Sequence, residues 1–283
     1  MIDDTVEDIR EMRSHSSSVV AVTAAEALTE LAGREYSSVD EFVRDLERNS
    51  SALRRANPSH ASLFTAQHAI VDAVEEADPE TVEAAKEALS AAIERVVDGI
   101  ETAKREAAKN AADLLSDGST VLIHDYSTTV FKAIEHALAT GARLEVYATE
   151  ARPRYLGRRT ARTLAMMEGV DVHLIVDGAA GHYLPECDRV LVGMDCIVDE
   201  HLFNRVGTFP IAATAREVGV PMTVVGSSAK VIEEGFVFEN DYRSSIEVMG
   251  EPPEGFDVKN PAYDATPLRL IDSIVTDDGV DEL

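Results

Sequence analysis

The sequence predicts an α/β protein in which an N-terminal helical domain is followed by a domain built on a mainly parallel β-sheet. In residues 1–115, apolar side chains recur at helical spacing. In residues 116–276, short apolar runs alternate with helical patterns. Strands that alternate with helices in this way form parallel sheets joined by right-handed crossovers. We therefore expect two domains, residues 1–115 and residues 116–283.

The helical domain carries recognisable start and stop signals. Ser38 is followed three residues later by Glu41, the pattern of a capping box at a helix start. Asp78 and Pro79 are expected to cap and begin a long Ala-rich helix that continues to about Leu115. That helix would lead the chain into the second domain.

The second domain is predicted to consist of strands that are each followed by a helix or a turn. Glycines and prolines separate these segments. The last part of the chain, from residue 231 onwards, is less regular. Strands are predicted at 120–124, 143–149, 170–176, 190–192, 222–225 and 273–276, and helices at 126–139, 155–168 and from 204–208 onwards.

Polar or charged side chains follow five successive predicted strands. Asp125 comes after the first strand, Arg152 after the second, Asp177 after the third, Asp195 after the fourth and Lys230 after the fifth. In an open α/β sheet, ligands bind outside the carboxyl ends of the strands. Any one of these residues alone would be read as a helix cap or a surface charge. Because they occur together, we predict that they converge on one site.

The charge of the chain excludes several classes of partner. Lys and Arg number 26 against 52 Asp and Glu, which gives a formal net charge of -26. Such a chain repels nucleic acid and anionic membranes. The acids are spread along the sequence, which indicates adaptation to a salt-rich cytoplasm; an ordinary acidic surface is the alternative. No apolar run approaches about 18 residues, and the acidic N-terminus is unlike a signal peptide, so we expect a cytoplasmic protein.

Metal and cofactor signatures are not evident in the sequence. The two cysteines, Cys187 and Cys196, are not spaced as metal ligands and fit a reducing compartment. The histidines are scattered, and residues 177–181 do not match a dinucleotide fingerprint. No G-x-S-x-G nucleophile elbow occurs. We therefore predict neither a metal nor a cofactor.

An ordered series of short segments resembles a known family. The family joins the alpha, beta and delta regulatory subunits of translation initiation factor 2B to methylthioribose-1-phosphate isomerase and ribose-1,5-bisphosphate isomerase. The likeness is close over residues 120–276 and looser before them. The matching segments are 124–127 (His-Asp-Tyr-Ser), 147–153 (Tyr-Ala-Thr-Glu-Ala-Arg-Pro), 192–195 (Val-Gly-Met-Asp), 204–208 (Asn-Arg-Val-Gly-Thr), 228–230 (Ser-Ala-Lys) and 266–267 (Thr-Pro).

The resemblance implies a Rossmann-like second domain that dimerises, giving a homodimer or a higher homo-oligomer. It implies a pocket for a phosphorylated sugar or a nucleoside monophosphate, and association with initiation factor 2 subunits. Residues 12–18 occupy the position at which the isomerases have a phosphate-binding loop. The ligand-binding residues that the resemblance suggests are Arg13, His15, Ser16, Arg152, Asn204, Arg205 and Lys230.

Two positions bear on whether the chain is an enzyme. The isomerases of the family resemble one another in a cysteine after the first strand and an aspartate after the fourth. This sequence retains the aspartate as Asp195 but has Asp125 where the cysteine is expected. The alpha-type subunits also lack that cysteine, but they usually lack the aspartate as well.

Three interpretations follow. The first is an initiation factor 2B alpha-type regulatory protein that binds its ligand without turnover. The alternative is a ribose-1,5-bisphosphate isomerase, in which Asp195 and Asp125 would supply one general acid and one general base. The third is a structural partner subunit with an inactive pocket.

Overall fold

The chain has the α/β architecture that the sequence predicts. The structure, a computed structural model, describes residues 2–11, 17–233, 235–251 and 254–283. It divides into two compact units, Met1–Thr102 with Gly235–Phe238 and Ala103–Glu234 with Glu239–Leu283. The first is helical and the second contains the sheets.

In the described residues, the first unit contains five α-helices, of which the last extends beyond the boundary between the units. Their apolar faces form one buried core that includes Phe42, Leu46 and Leu89. Among the described helices, none has both the length and the apolar composition that a membrane crossing requires. The helices are α1 (Ile2–Glu11), α2 (Ser17–Ala27), α3 (Val39–Ala56), α4 (Ala61–Glu76) and α5 (Val82–Ala112), with a 3₁₀ helix at Leu28–Gly33.

The predicted start of α3 is confirmed, whereas the predicted start of α5 is wrong. The Ser38 side chain accepts a hydrogen bond from the backbone nitrogen of Glu41 at 3.2 Å. Asp78 has φ +43°, which is not the extended conformation of a helix cap. The Thr81 hydroxyl oxygen instead accepts from the backbone nitrogen of Ala84 at 3.1 Å, so α5 begins three residues later than predicted.

The second unit is built around a seven-stranded sheet in the order β10-β9-β7-β4-β1-β2-β3. All neighbours in it are parallel except β10, which pairs antiparallel with β9. Its strands are β1 (Thr120–Ile123), β2 (Leu144–Thr149), β3 (Val170–Ile175), β4 (Arg189–Gly193), β7 (Met222–Val225), β9 (Ser273–Thr276) and β10 (Gly279–Glu282).

Helices connect the parallel strands and cover the sheet. Two apolar cores, one containing Leu122 and Val224 and the other Val121 and Leu191, hold the layers together. Because alternate residues of a strand point to opposite faces, neighbouring Val121 and Leu122 lie in different cores. The helices are α6 (Thr128–Ala139), α7 (Leu156–Leu164), α8 (Ala180–Tyr183) and α9 (Thr208–Val218).

The strand order places a topological switch point between β1 and β4. From β1 the chain proceeds to β2 and β3 on one side, and then to β4, β7 and β9 on the other. At such a point two neighbouring strands are followed by connections that run in opposite directions, which leaves a crevice. Asp125 follows β1 and Asp195 follows β4, so both acids border this crevice.

A small antiparallel sheet replaces the helix start that the sequence suggested at residues 204–208. It contains β5 (Cys196–Val198), β6 (His201–Arg205) and β8 (Tyr263–Pro267), in the order β5-β6-β8. Asn204 and Arg205 are therefore strand residues. The sequence pattern gave the wrong element because the conformation of residues 201–205 is determined by backbone pairing with β5 and β8, which lie elsewhere in the sequence.

Gly207 lets the chain turn from β6 into α9 beside the end of β1. It has φ +108°, and a Cβ built there would lie 2.6 Å from Cε1 of His124. His124 cannot move easily, because its Nε2 donates to the Val206 carbonyl at 2.9 Å and its Nδ1 hydrogen-bonds the Thr149 hydroxyl at 2.6 Å. One oxygen of Asp264 accepts from the backbone nitrogens of Gly207, at 2.8 Å, and Phe209, at 3.0 Å.

Replacing Gly207 by alanine is expected to destabilise the second unit by about 3 kcal/mol or more. The cost combines backbone strain with displacement of His124 from its two hydrogen bonds. Gly219, at the other end of α9, also has positive φ, +77°, but a Cβ there meets nothing within 4 Å. Gly219→Ala should therefore cost only about 1–2 kcal/mol. Urea unfolding in molar potassium chloride measures the free energy of unfolding of both variants. Equal losses of stability in the two variants would contradict the role given to His124.

Candidate functional site

A largely buried ion pair lies at the switch point, between the end of β1 and the end of β6. Arg205 Nε donates to Asp125 Oδ2 at 3.1 Å, and the two side chains are only 15% and 12% exposed. The guanidinium also lies over the ring of Tyr263, with 4.9 Å between Cζ and the ring centroid. The sequence placed Asp125 and Arg205 at one site, and the structure brings them into contact.

Each member of this ion pair has one polar atom that makes no hydrogen bond within the described residues. Asp125 Oδ1 and Arg205 Nη1 are buried, and neither has a hydrogen-bond partner in the part of the chain that the structure describes. Buried polar atoms are nearly always paired in folded proteins, and an unpaired one costs about 1–3 kcal/mol. An acceptor and a donor are thus held next to each other, ready for a ligand group that both donates and accepts.

Two carboxylates keep the guanidinium of Arg205 charged. Burial acts to lower the pKa of Arg205, but the negative charges of Asp125 and Asp195 outweigh burial and raise that pKa above its usual value. Burial, helped by the charge of Asp195, raises the pKa of Tyr263 to about 12. The Tyr263 hydroxyl therefore keeps its proton and remains a hydrogen-bond donor.

A second buried cation lies beside Asp195. The Asp195 backbone nitrogen donates to the Phe203 carbonyl at 3.0 Å, which fixes the acid where β4 meets β6. Lys230 Nζ donates to the Met194 carbonyl at 2.8 Å. Burial lowers the pKa of Lys230, the charge of Asp195 opposes that shift, and the charge of Lys104 adds to it. Lys104, on α5, is also buried and was not predicted from the sequence.

Arg152 is placed at the end of β2 by a carboxylate that binds its backbone. Asp177 Oδ1 accepts from the nitrogen of Ala151 and Oδ2 from the nitrogen of Arg152, both at 2.8 Å. The Arg152 guanidinium reaches the Val248 carbonyl at 3.4 Å and lies 5.4 Å from the Tyr155 ring centroid. These contacts are with the loops around the site.

Two further arginines, Arg154 and Arg243, lie near the site. Arg154 Nε lies 3.8 Å from Glu247 Oε1. Burial lowers the pKa of Arg154, and the positive charges of Arg243 and Arg205 lower it further. The sequence suggests Arg154, because two arginines beside an acid after the second strand suit a phosphate or a carboxylate. Arg243 lies in an irregular stretch where the sequence offers no periodic signal.

Of the remaining predicted ligand residues, the structure describes Asn204. The Asn204 amide nitrogen donates to the Thr208 hydroxyl at 3.0 Å, and Thr208 donates to the Arg205 carbonyl at 2.6 Å. Asn204 thus connects β6 to the start of α9. Three predicted residues, Arg13, His15 and Ser16, lie outside the described residues.

The two cysteines offer no reactive thiolate. Both are free and buried. Burial raises the pKa of Cys187 to about 12, and burial raises the pKa of Cys196 as well. A buried thiol with a raised pKa is a poor nucleophile and proton carrier near neutral pH. In the described part of the chain, no group of three His, Cys, Asp or Glu residues is arranged to hold a metal ion.

Comparison with known proteins gives two kinds of relative. A family model described as the initiation factor 2 subunit family matches residues 13–282. A ribose 1,5-bisphosphate isomerase from Haloterrigena turkmenica is 34% identical, covering 97% of this chain and 88% of that protein. One from Archaeoglobus fulgidus is 32% identical, covering 98% of this chain and 88% of that protein.

The fold is shared with a solved structure. The translation initiation factor eIF-2B from Pyrococcus horikoshii OT3 superposes with a TM-score of 0.83 at 24% sequence identity. The alignment covers 99% of this chain and 96% of that chain. At this level of identity the similarity establishes a common fold.

Replacing Asp125 by asparagine tests the buried ion pair. The substitution leaves the Arg205 charge without its nearest carboxylate, and we expect the free energy of unfolding to fall by about 3 kcal/mol. Adding Arg205→Gln should recover part of the loss, as a double-mutant cycle would measure. Arg216→Gln breaks an exposed pair with Asp272 and should cost at most about 0.5 kcal/mol. An Asp125→Asn protein as stable as the wild type would contradict this assignment.

Proposed function

The chain belongs to the initiation factor 2 subunit family, and from that premise we propose that it is an aldose-ketose isomerase acting on a phosphorylated pentose such as ribose 1,5-bisphosphate. The names of its relatives from Haloterrigena turkmenica and Archaeoglobus fulgidus support this choice within the family. The acid at Asp195, in the crevice of the sheet, supports it on chemical grounds.

The observation that carries the proposal is the unsatisfied pair of atoms on Asp125 and Arg205. A sugar hydroxyl both donates and accepts hydrogen bonds, so one hydroxyl can satisfy Asp125 Oδ1 and Arg205 Nη1 together. A polyol is therefore a better match to this pair than an apolar ligand or a simple anion. The nearby buried cations suit the phosphate groups of the same ligand.

The chemistry requires proton carriers but no co-reactant. In an aldose-ketose isomerisation, one hydrogen moves from C2 to C1, and the C2 hydroxyl becomes a carbonyl as it loses its proton. When the sugar starts as a ring, the ring carbon–oxygen bond breaks and the ring oxygen takes up a proton. Asp195 and Asp125 are the carriers that we assign, one as general base and the other as general acid. Reactant and product are isomers, so the atoms balance.

Binding without turnover is the second candidate. Asp125 stands where the isomerases of the family are expected to have cysteine, and it is committed to an ion pair with Arg205. Neither Cys187 nor Cys196 can replace that thiol. Under this candidate the chain binds the same ligand as a regulatory subunit. Association with initiation factor 2 subunits and self-association through the second unit belong to the same proposal.

An isomerase assay separates the two candidates. The pure protein, incubated with ribose 1,5-bisphosphate in molar potassium chloride, should form ribulose 1,5-bisphosphate, which phosphorus and carbon NMR can follow. Asp195→Asn should lower kcat at least about 100-fold, as expected for loss of a general acid or base. Arg216→Gln, which changes an exposed ion pair, serves as the matched control and should keep full activity.

A cysteine variant then tests the role of Asp125. If Asp125 carries a proton, Asp125→Asn should be nearly inactive, whereas Asp125→Cys should keep measurable turnover because a thiol can carry a proton too. Absence of turnover in the wild-type protein, together with calorimetric binding of the sugar phosphate, would refute the isomerase proposal and establish the second candidate.

The pH dependence of binding tests the assignment of Lys230 to phosphate. The Lys230 pKa is lowered by burial, so its ammonium group loses its proton at a lower pH than the 10.5 of an ordinary lysine. Affinity for ribulose 1,5-bisphosphate should therefore fall as the pH rises through that lowered pKa, before the pH reaches 10.5. Lys230→Arg should remove the decline, since arginine stays protonated. If the affinity of the wild type did not change up to pH 10.5, the assignment would be contradicted.

A further inference from the structure

We propose that Asp277 is a positioning residue, whose carboxylate holds the loop after β7 and thereby keeps Lys230 buried beside Asp195. The loop comprises residues 226–230 and ends in a short 3₁₀ helix, Ser228–Lys230. That Lys230 meets a phosphate in this place rests on the proposed function. The contact between Asp277 and the loop does not depend on a ligand, so the two statements can fail separately.

Both carboxylate oxygens of Asp277 bind the same residue of this loop. Oδ1 accepts from the backbone nitrogen of Ser228 at 2.7 Å, and Oδ2 accepts from the Ser228 hydroxyl at 2.9 Å. Hydrogen bonds to an ionised carboxylate are shorter and stronger than those between neutral groups. Because Ser228 begins the short helix that Lys230 ends, these two bonds fix the start of the segment that carries the lysine.

The pairing of the strands explains why Asp277 reaches this loop. β9 pairs in parallel with β7, and the Gly226 nitrogen donates to the Val275 carbonyl at 3.1 Å. The two chains thus leave the sheet side by side, which brings Asp277 next to Ser228. Residues 277–278 form the turn between β9 and β10, which pair antiparallel on either side of it. This pairing fixes the turn, and with it the position of the carboxylate.

The same arrangement occurs on the other flank of the sheet. β9 lies beside β7 on the side away from β4, and β3 lies beside β2 on the side away from β1. Asp177 follows β3, and its two oxygens accept from the backbone nitrogens of Ala151 and Arg152, which follow β2. On each flank, an aspartate at the end of one strand therefore holds the loop that carries a predicted ligand residue after the neighbouring strand.

The surroundings of Lys230 allow its position to be measured without a ligand. Burial has the largest effect on the pKa of Lys230 and lowers it, the charges of Asp195 and Cys196 oppose that shift, and the charge of Lys104 adds to it. Asp277 is not among these groups, so we assign its effect to the loop and not to its charge. If the loop were released, the ammonium group would gain water, and its pKa would rise toward the ordinary 10.5.

Carbon NMR of protein labelled at the lysine ε-carbons tests the inference, with Lys230→Arg identifying the Lys230 resonance. Asp277→Ala should raise the titration midpoint of Lys230 by about one pH unit or more, because the released ammonium group becomes hydrated. Asp277→Asn should stay close to the wild type, since its amide can accept from the Ser228 nitrogen and donate to the Ser228 hydroxyl. Asp188→Ala is the matched control. Asp188 Oδ2 accepts from the Thr120 backbone nitrogen at 2.8 Å, at the opposite edge of the sheet, so its loss should not move the midpoint.

Three results would overturn the positioning role. The first is an unchanged midpoint in Asp277→Ala, and the second is an equal rise in Asp188→Ala, which loss of stability alone would explain. The third is an Asp277→Asn midpoint as high as that of Asp277→Ala, because the two contacts would then not be responsible. Ser228→Ala removes only one of the two hydrogen bonds and should give a smaller rise. It decides the question if Asp277→Ala does not fold, and an unchanged midpoint there would count against the proposal.

Calorimetric titration of the same variants with ribulose 1,5-bisphosphate connects the inference to the proposed function. Asp277→Ala should weaken binding by about tenfold, as expected when a charge-assisted hydrogen bond to the ligand is lost, whereas Asp188→Ala should bind like the wild type. A wild type that does not bind the bisphosphate would refute the assignment of Lys230 to phosphate, and the NMR titration would still decide the role of Asp277. A raised Lys230 midpoint with unchanged binding would likewise refute the phosphate assignment and support the positioning role.

Discussion

Burial of positive charge at the carboxyl ends of the strands is the constraint on which this site depends. Removing a guanidinium or an ammonium group from water costs several kcal/mol unless an opposite charge lies close by. Lys230 is buried and Arg205 is only 15% exposed, in a chain whose formal net charge is -26. Asp125 and Asp195 supply the opposing charges at the switch point. The fold therefore holds these two acids close to the two cations.

The pairing of Asp125 with Arg205 affects what the site can do chemically. A cysteine beside Arg205 would be a neutral thiol or a reactive thiolate, whereas Asp125 is a carboxylate that also balances the guanidinium charge. The same residue thus serves stability and, in our proposal, proton transfer. A ligand hydroxyl that satisfies Asp125 Oδ1 and Arg205 Nη1 would bring the substrate into direct contact with this pair. Binding and catalysis would then share one group, Asp125, at the position where the isomerases of the family are expected to have cysteine.

The sequence predicts the parallel sheet well because each strand is a short apolar run bounded by turn residues. Thr120–Ile123, Leu144–Thr149 and Met222–Val225 were located from this local signal. The sequence also predicted that Asp125, Asp195 and Lys230 lie at the carboxyl edge of the sheet, because they follow parallel strands.

What the sequence did not predict depends on contacts between distant segments. The strand His201–Arg205 exists because Cys196–Val198 and Tyr263–Pro267 pair with it, and no local pattern signals those partners. Arg243 and Lys104 reach the site through tertiary packing, from an irregular segment and from the end of a long helix. Asp125 was recognised as a strand-end acid, but its pairing with Arg205, 80 residues later, required the structure.

A crystal structure of the protein with ribulose 1,5-bisphosphate tests the central claim most directly. The account predicts a phosphate beside Lys230 and a sugar hydroxyl that contacts both Asp125 Oδ1 and Arg205 Nη1. A ligand bound away from the ends of β1 and β4, or bound there with both phosphates in solvent, would contradict it.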